Sequence, residues 1–182
     1  MPSFAQTHSR VTSYFLLEKT QDLSRRLRHA ARWKKPVLIV PALASEFSDP
    51  QSLPVFENIV RQLSGANYLA EIIFGLDGAT EEDVRRCISI LNERGLKNYV
   101  IQWNDGPAIS SVYQQIQDAG FDLSRRGKGR NVFMGFGVAI AVGATSVGLL
   151  DADIRTFRRR QLDRLGQRPP PAGQQQLEQR RL

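Results

Sequence analysis

The chain has 182 residues, 41% of them apolar, one cysteine and a formal net charge of +7. That length suits one domain with a real core, and a single cysteine excludes an intramolecular disulfide framework. The charge is uneven: residues 1–35 carry +6, residues 36–154 carry −5 and residues 155–182 carry +6. The acidic centre argues against a folded nucleic-acid module, which would more often carry its basic face on the core.

Residues 1–35 read as a basic helical arm whose apolar positions, Tyr14, Phe15, Leu16, Leu23 and Leu27, make no clean stripe. The start of the chain has no apolar h-region, so a cytoplasmic location is expected. "PVLIVPAL", Pro36 to Leu43, is a continuous β-branched and aliphatic run, the pattern of a strand buried on both faces. "SLPVFENIVRQLSG" places Val55, Ile59, Val60 and Leu63 at helical spacing, with Pro54 in the first turn and Gly65 as a stop. A second strand is expected within Tyr68 to Gly78. "ATEEDVRRCISILNERG" follows as a helix capped by Thr80, with Asp83 three residues on and buried Cys87 within it. "KNYVIQW" is a third strand and "PAISSVYQQIQDAG" a third helix ending at Gly120.

Residues 131–150 contain no charged residue and are just long enough to test as a membrane span. Four glycines and the turn-like "GATS" favour instead a buried helix, about Val132 to Val142, followed by a strand, about Ser146 to Leu150. No transmembrane segment is therefore expected. Residues 166–182, rich in Pro, Gln and Arg, are too poor in apolar residues to offset their ordering entropy and read as disordered.

Alternating apolar strands and helices predict an α/β fold, a mostly parallel sheet flanked by helices on both faces, over residues 36–165. Ligands of such sheets sit outside the carboxyl ends of the strands. Four loops gather there: Ala42 to Ser48, Asp77 to Thr80, Trp103 to Pro107, and Asp151 to Arg155.

Asp151 and Asp153 end the apolar run "GLLDAD". In extended chain, positions i and i+2 point to one side, so the two carboxylates would project together. Hard oxygen ligands held close suit Mg²⁺ or Mn²⁺, which can bridge to a diphosphate. A solvated turn, or a cap for the following helix, explains the same two acids. "SRRGKGRN" places Gly127 and Gly129 around Lys128 at a helix start, where free N–H groups and a lysine suit a phosphate; a flexible basic loop is the alternative. Asp77 in "FGLDGAT" can accept bonds from a base or ribose, or can simply open an Asp-Gly turn. Glu46 is either part of the first loop or a surface acid. Both histidines, His8 and His29, lie in the N-terminal arm, so a zinc site or a Cys/His nucleophile has no support.

In order, "VLIVPALASE", "IIFGLDGATEED", "GKGRNVFMGF" and "GLLDADIRTF" resemble the nucleotide-sugar glycosyltransferases of the GT-A fold over about residues 36–165. They are most similar to the retaining group of glucosyl-3-phosphoglycerate and mannosylglycerate synthases. The resemblance implies a metal-dependent transfer of sugar from a UDP- or GDP-sugar to a small, glycerate- or phosphoglycerate-like acceptor. It implies that Pro41, Ala42, Leu43 and Glu46 line the nucleotide and that Asp77 meets the base. Gly127 and Lys128 would meet the nucleotide or its diphosphate. Asp151 would contact ribose or metal, and Asp153 would hold the divalent cation. Only about ten helical residues separate the D-x-D from the tail, so the resemblance covers an N-terminal half and leaves the acceptor side without residues. Two other functions follow from the same features: nucleotide binding without catalysis, and nucleic-acid binding through the basic arms. An unfinished sheet would also invite association with a second copy.

Overall fold

The computed structural model describes residues 20–165. The remainder of the basic arm and the Pro/Gln/Arg-rich tail lie outside the described residues. In chain order the elements are α1 (Thr20–Ala30), β1 (Pro36–Leu43), α2 (Ala44–Ser48), α3 (Leu53–Leu63), β2 (Glu71–Asp77) and α4 (Glu81–Glu93). Then come β3 (Tyr99–Trp103), α5 (Ile109–Asp118), α6 (Lys128–Ala141), β4 (Ser146–Leu149) and α7 (Arg159–Leu165).

The four strands form one parallel sheet in the order β3-β2-β1-β4. Side chains of successive strand residues alternate between its faces. Leu38, Val40 and Ala42 of β1 and Ile72, Phe74 and Leu76 of β2 enter the larger core with Phe56, Ile59, Val60 and Leu63 of α3 and Cys87, Ile90 and Leu91 of α4. Val37, Ile39 and Ile73 point the other way and pack with Ala139 of α6. The sheet is thus covered on both faces, which is why β1 and β2 read as unbroken apolar runs. Burial pushes the Cys87 thiol up to about 12, so it stays protonated and inert in the core.

Two expectations need correction. The loop from Ala42 to Ser48 is instead the end of β1 followed by α2. The helix–strand pair of residues 131–150 is only half buried: Phe133, Phe136 and Ile140 of α6 and Val147 and Leu149 of β4 are exposed. The reason is that β4 is an edge strand, paired with β1 alone, and α6 turns one face to the sheet and the other outward. Among the described residues no helix is long and apolar enough to cross a membrane.

α4 shows how local chemistry sets a boundary. Thr80 Oγ1 accepts from the Asp83 N–H at 3.2 Å, and the Asp83 carboxylate accepts from the Thr80 N–H at 2.9 Å. Two of the donors that a helix start leaves without partners are so satisfied. Replacing Thr80 by alanine is expected to cost about 1 kcal/mol in urea unfolding near neutral pH. The Thr80 hydroxyl also donates to the Asp83 carboxylate at 2.6 Å, and this bond, then the one from the Thr80 N–H, holds the Asp83 carboxyl below its ordinary value. The contribution is therefore present at neutrality and fades as pH falls through the folded-state pKa. An equal cost at a pH well below that value would sink the explanation.

Candidate donor site

β1, β2 and β3 advance to one side of the sheet, and the chain then crosses back to lay β4 on the other side of β1. The crevice outside the carboxyl ends of β1 and β4 is the switch point, where connections diverge and ligands fit. β4 pairs only with Pro36 to Ile39, so β1 runs four residues further than its neighbour. Glu46 follows β1, and Asp151 and Asp153 follow β4, so the three acids flank this opening.

The two aspartates do not leave a strand together as the i, i+2 pattern implied. β4 ends at Leu149, and Ala152 and Asp153 lie in a turn that buries Ala152. Asp151 is half-buried and Asp153 exposed. Lys128, the first residue of α6, contacts the Asp151 carboxylate at 2.5 Å. Glu46 is half-buried and accepts from the Leu43 N–H at 3.1 Å. Burial raises its pKa most, the Leu43 bond lowers it, Asp153 and Asp151 raise it, and Lys128 lowers it. Four residues from three chain segments thus share one electrostatic neighbourhood. Of the other residues assigned to this loop, Pro41 and Ala42 are buried, so a ligand could meet only their backbone, whereas Leu43 is exposed.

Gly127 caps α6 at φ 124°, a backbone region that L side chains rarely adopt. A Cβ built on Gly127 or Gly129 would meet nothing within 4 Å, so space lies open around the helix start. The first-turn N–H groups of a helix have no intrahelical acceptors and carry its positive end.

Asp77 belongs to a second group, joined to the first by α6. It pairs beside Leu43 across β1 and β2, and the residue is 5% exposed. Arg130 approaches it at 3.8 Å and lies over the Tyr113 ring at 4.9 Å. Among the described residues no donor reaches Asp77 Oδ1 within hydrogen-bond distance. Burial pushes its carboxyl up most strongly, and the neighbouring Asn104 amide and the charge of Arg130 pull it back. The Gly78 N–H donates to Asp105 at 2.6 Å, and Arg126 reaches the same carboxylate at 3.4 Å.

Asn131 anchors this arrangement. Its side-chain amide donates to the Gly75 carbonyl at 2.7 Å, and Gln102 donates to its backbone carbonyl at 3.0 Å. Gln102, Asn104, Tyr113, Arg130 and Asn131 were not singled out from the sequence. One signal pointed to some of them: Gly75 and Asp77 in β2, and Gln102 and Asn104 at β3, interrupt apolar runs at alternate positions. That spacing puts them on one face.

The segment is 35% identical over 140 residues to a glucosyl-3-phosphoglycerate synthase of Persephonella marina, covering 76% of this chain and 34% of that protein. It is 27% identical over 155 residues to a glucosyl-3-phosphoglycerate synthase of Methanococcoides burtonii, covering 85% of this chain and 37% of that one. In sequence, this chain is similar to part of the glucosyl-3-phosphoglycerate synthases. It spans about a third of the length of these curated relatives. No family model matches it, and no solved structure does. The parallel sheet flanked by helices is consistent with part of the GT-A fold of such glycosyltransferases.

A cavity of about 440 Å³ lies elsewhere, under α1 and against β4, lined by Leu27, Tyr68, Val147 and Leu162 among others. Among the described residues no carboxylate lines it, so it lacks the chemistry gathered at the switch point.

Proposed function

We propose that this chain carries the nucleotide-sugar donor site of a glycosyltransferase, which passes the sugar to a glycerate- or phosphoglycerate-like acceptor. The observation that carries this reading is the convergence of Glu46, Lys128, Asp151 and Asp153 on the switch point of the sheet. The relatives are named glucosyl-3-phosphoglycerate synthase.

In this reading the α6 start, with Gly127, Lys128 and its free N–H groups, receives the diphosphate of a UDP- or GDP-sugar. Asp77, buried and facing Arg130, meets the base, and Leu43 beside it supplies an apolar contact. Lys128 spreads positive charge over the leaving diphosphate, and the fixed helix dipole supports it without reorganisation.

Among the described residues no group of three or more His, Cys, Asp or Glu could hold a metal ion. Asp151 and Asp153 alone offer hard oxygens for one side of Mg²⁺ or Mn²⁺. They fit a cation that takes its other ligands from a diphosphate and water. When bound, such a cation would supply Lewis-acid neutralisation of the leaving group.

Calorimetric titration with UDP and GDP, each with and without Mn²⁺, tests the reading. Binding of one nucleotide is expected, tighter with Mn²⁺. Asp153→Ala should remove the Mn²⁺-dependent part, weakening binding by about tenfold or more, the effect of losing about 1.4 kcal/mol. Failure of a folded chain to bind either nucleotide would overturn the donor site. Binding without sugar transfer or donor hydrolysis would reduce the function to nucleotide binding.

A further inference from the structure

We propose that Lys128 acts as the cation of the ligand-free site, occupying Asp151 until a diphosphate arrives, so that divalent metal and diphosphate bind together rather than one after the other. The inference rests on the donor-site reading and adds an order of events to it.

The geometry supplies the reason. The Lys128 ammonium sits 2.5 Å from Asp151 Oδ1, where a divalent cation using that oxygen would have to come. With Asp151 engaged, Asp153 is the only aspartate of the pair left open, and one exposed carboxylate is a poor site for a cation that wants six or more oxygens. The pair is also built to exchange. The Lys128 and Asp151 side chains are 57% and 40% exposed, so water screens their attraction and the contact is weak. Lys128 opens α6 between two glycines, and its side chain is more than half exposed, so its head group has room to swing into solvent.

A diphosphate at the α6 start offers Lys128 several oxygens of higher charge than one carboxylate. Transfer of the ammonium to those oxygens frees Asp151. Asp151, Asp153 and the diphosphate then together provide enough hard ligands for Mg²⁺ or Mn²⁺. Before that moment, Glu46, Asp151 and Asp153 lie near one another, and Lys128 is the positive charge acting on Glu46 within the group. Lys128 thus offsets the mutual repulsion of the acids without a resident metal.

Mn²⁺ alone is the probe. The full chain is titrated without nucleotide, and bound Mn²⁺ is read from loss of the free-ion electron paramagnetic resonance signal. Wild type should bind weakly. Lys128→Met should bind about tenfold more tightly, because a unit positive charge about 6 Å from a divalent ion in water opposes it by roughly that factor. Lys128→Arg should stay weak, and adding Asp151→Asn to Lys128→Met should cancel the gain. Equal affinities in wild type and Lys128→Met would overturn the proposal, as would a gain that survives Asp151→Asn. Lys128 is exposed, so neither substitution threatens the fold. No nucleotide enters this titration. Its failure therefore leaves the nucleotide result standing, and a chain that binds neither UDP nor GDP leaves the Mn²⁺ result standing.

Discussion

Phe74→Ala is expected to lower the free energy of unfolding by about 3–5 kcal/mol. Phe74 sits in the middle of β2, fully buried, on the face turned to α3 and α4. Its ring meets Phe56 edge-on with centroids 6.0 Å apart, and Phe56 in turn meets Phe47 at 5.4 Å. The three rings join β2, α3 and α2 through the centre of the larger core. Truncation removes the transfer free energy of a whole ring and leaves a cavity in a layer held by two neighbouring strands. Phe47 follows Glu46 directly, so loosening the ring stack should also loosen the acid beside the site. Urea unfolding measures the effect as a lower midpoint with little change in slope. Phe74→Leu, which keeps most of the volume, should cost far less. A loss under about 1.5 kcal/mol for Phe74→Ala would mean that the stack collapses freely and does not bind the layers together.

The second large effect concerns the seam between the sheet and α6. Gly75→Ala and Asn131→Ala should each destabilise by about 1–3 kcal/mol, and their combination should cost clearly less than the sum. A Cβ on Gly75 would collide with the Asn131 side chain. Asn131 is 1% exposed, and removing its amide takes a donor from the buried Gly75 carbonyl. In the double variant the new methyl group enters space that the shortened side chain vacates. Strict additivity in a double-mutant cycle would show that the two residues do not act through this contact. The seam also has a functional reading. Asn131 fixes the first turn of α6, which presents Lys128 to Asp151 and Arg130 to Asp77. Both single variants should therefore weaken nucleotide binding, even under conditions where they remain folded.

Much of this architecture was legible in the chain. β1 spans the residues of its apolar run, Pro36 to Leu43, because a strand buried on both faces cannot hide its length behind polar alternation. The start of α4 was legible because Thr80 and Asp83 satisfy its first N–H groups by themselves, with no distant partner. α6 starts at Lys128, the helix start read from "SRRGKGRN", four residues before the Val132 start read from the apolar run. Its first turn is made of Lys128, Gly129, Arg130 and Asn131, poor helix formers or polar residues. Asn131, bonded to the Gly75 carbonyl 56 positions away, holds that turn in place. Val55 packs against the core from α3 but is only partly buried, and Phe56, which the periodicity did not single out, is fully buried there against Phe47 of α2.

By itself the sequence determined the local features: which runs are apolar on both faces, where helices start and stop, and which acids lie at or just past the carboxyl ends of the strands. These depend on side-chain periodicity and on hydrogen bonds spanning three or four residues. Only the tertiary structure decided what those acids meet. It placed Glu46 beside Asp151 and Asp153, bent the D-x-D into a turn, and set Lys128 rather than a second carboxylate against Asp151. It also buried Asp77 against Arg130 with one oxygen left without a donor among the described residues. The physical reason is the crossover of the sheet. Returning the chain to the far side of β1 brings residues 46, 128 and 151 to one opening, and no local pattern encodes a meeting between segments that far apart in the chain.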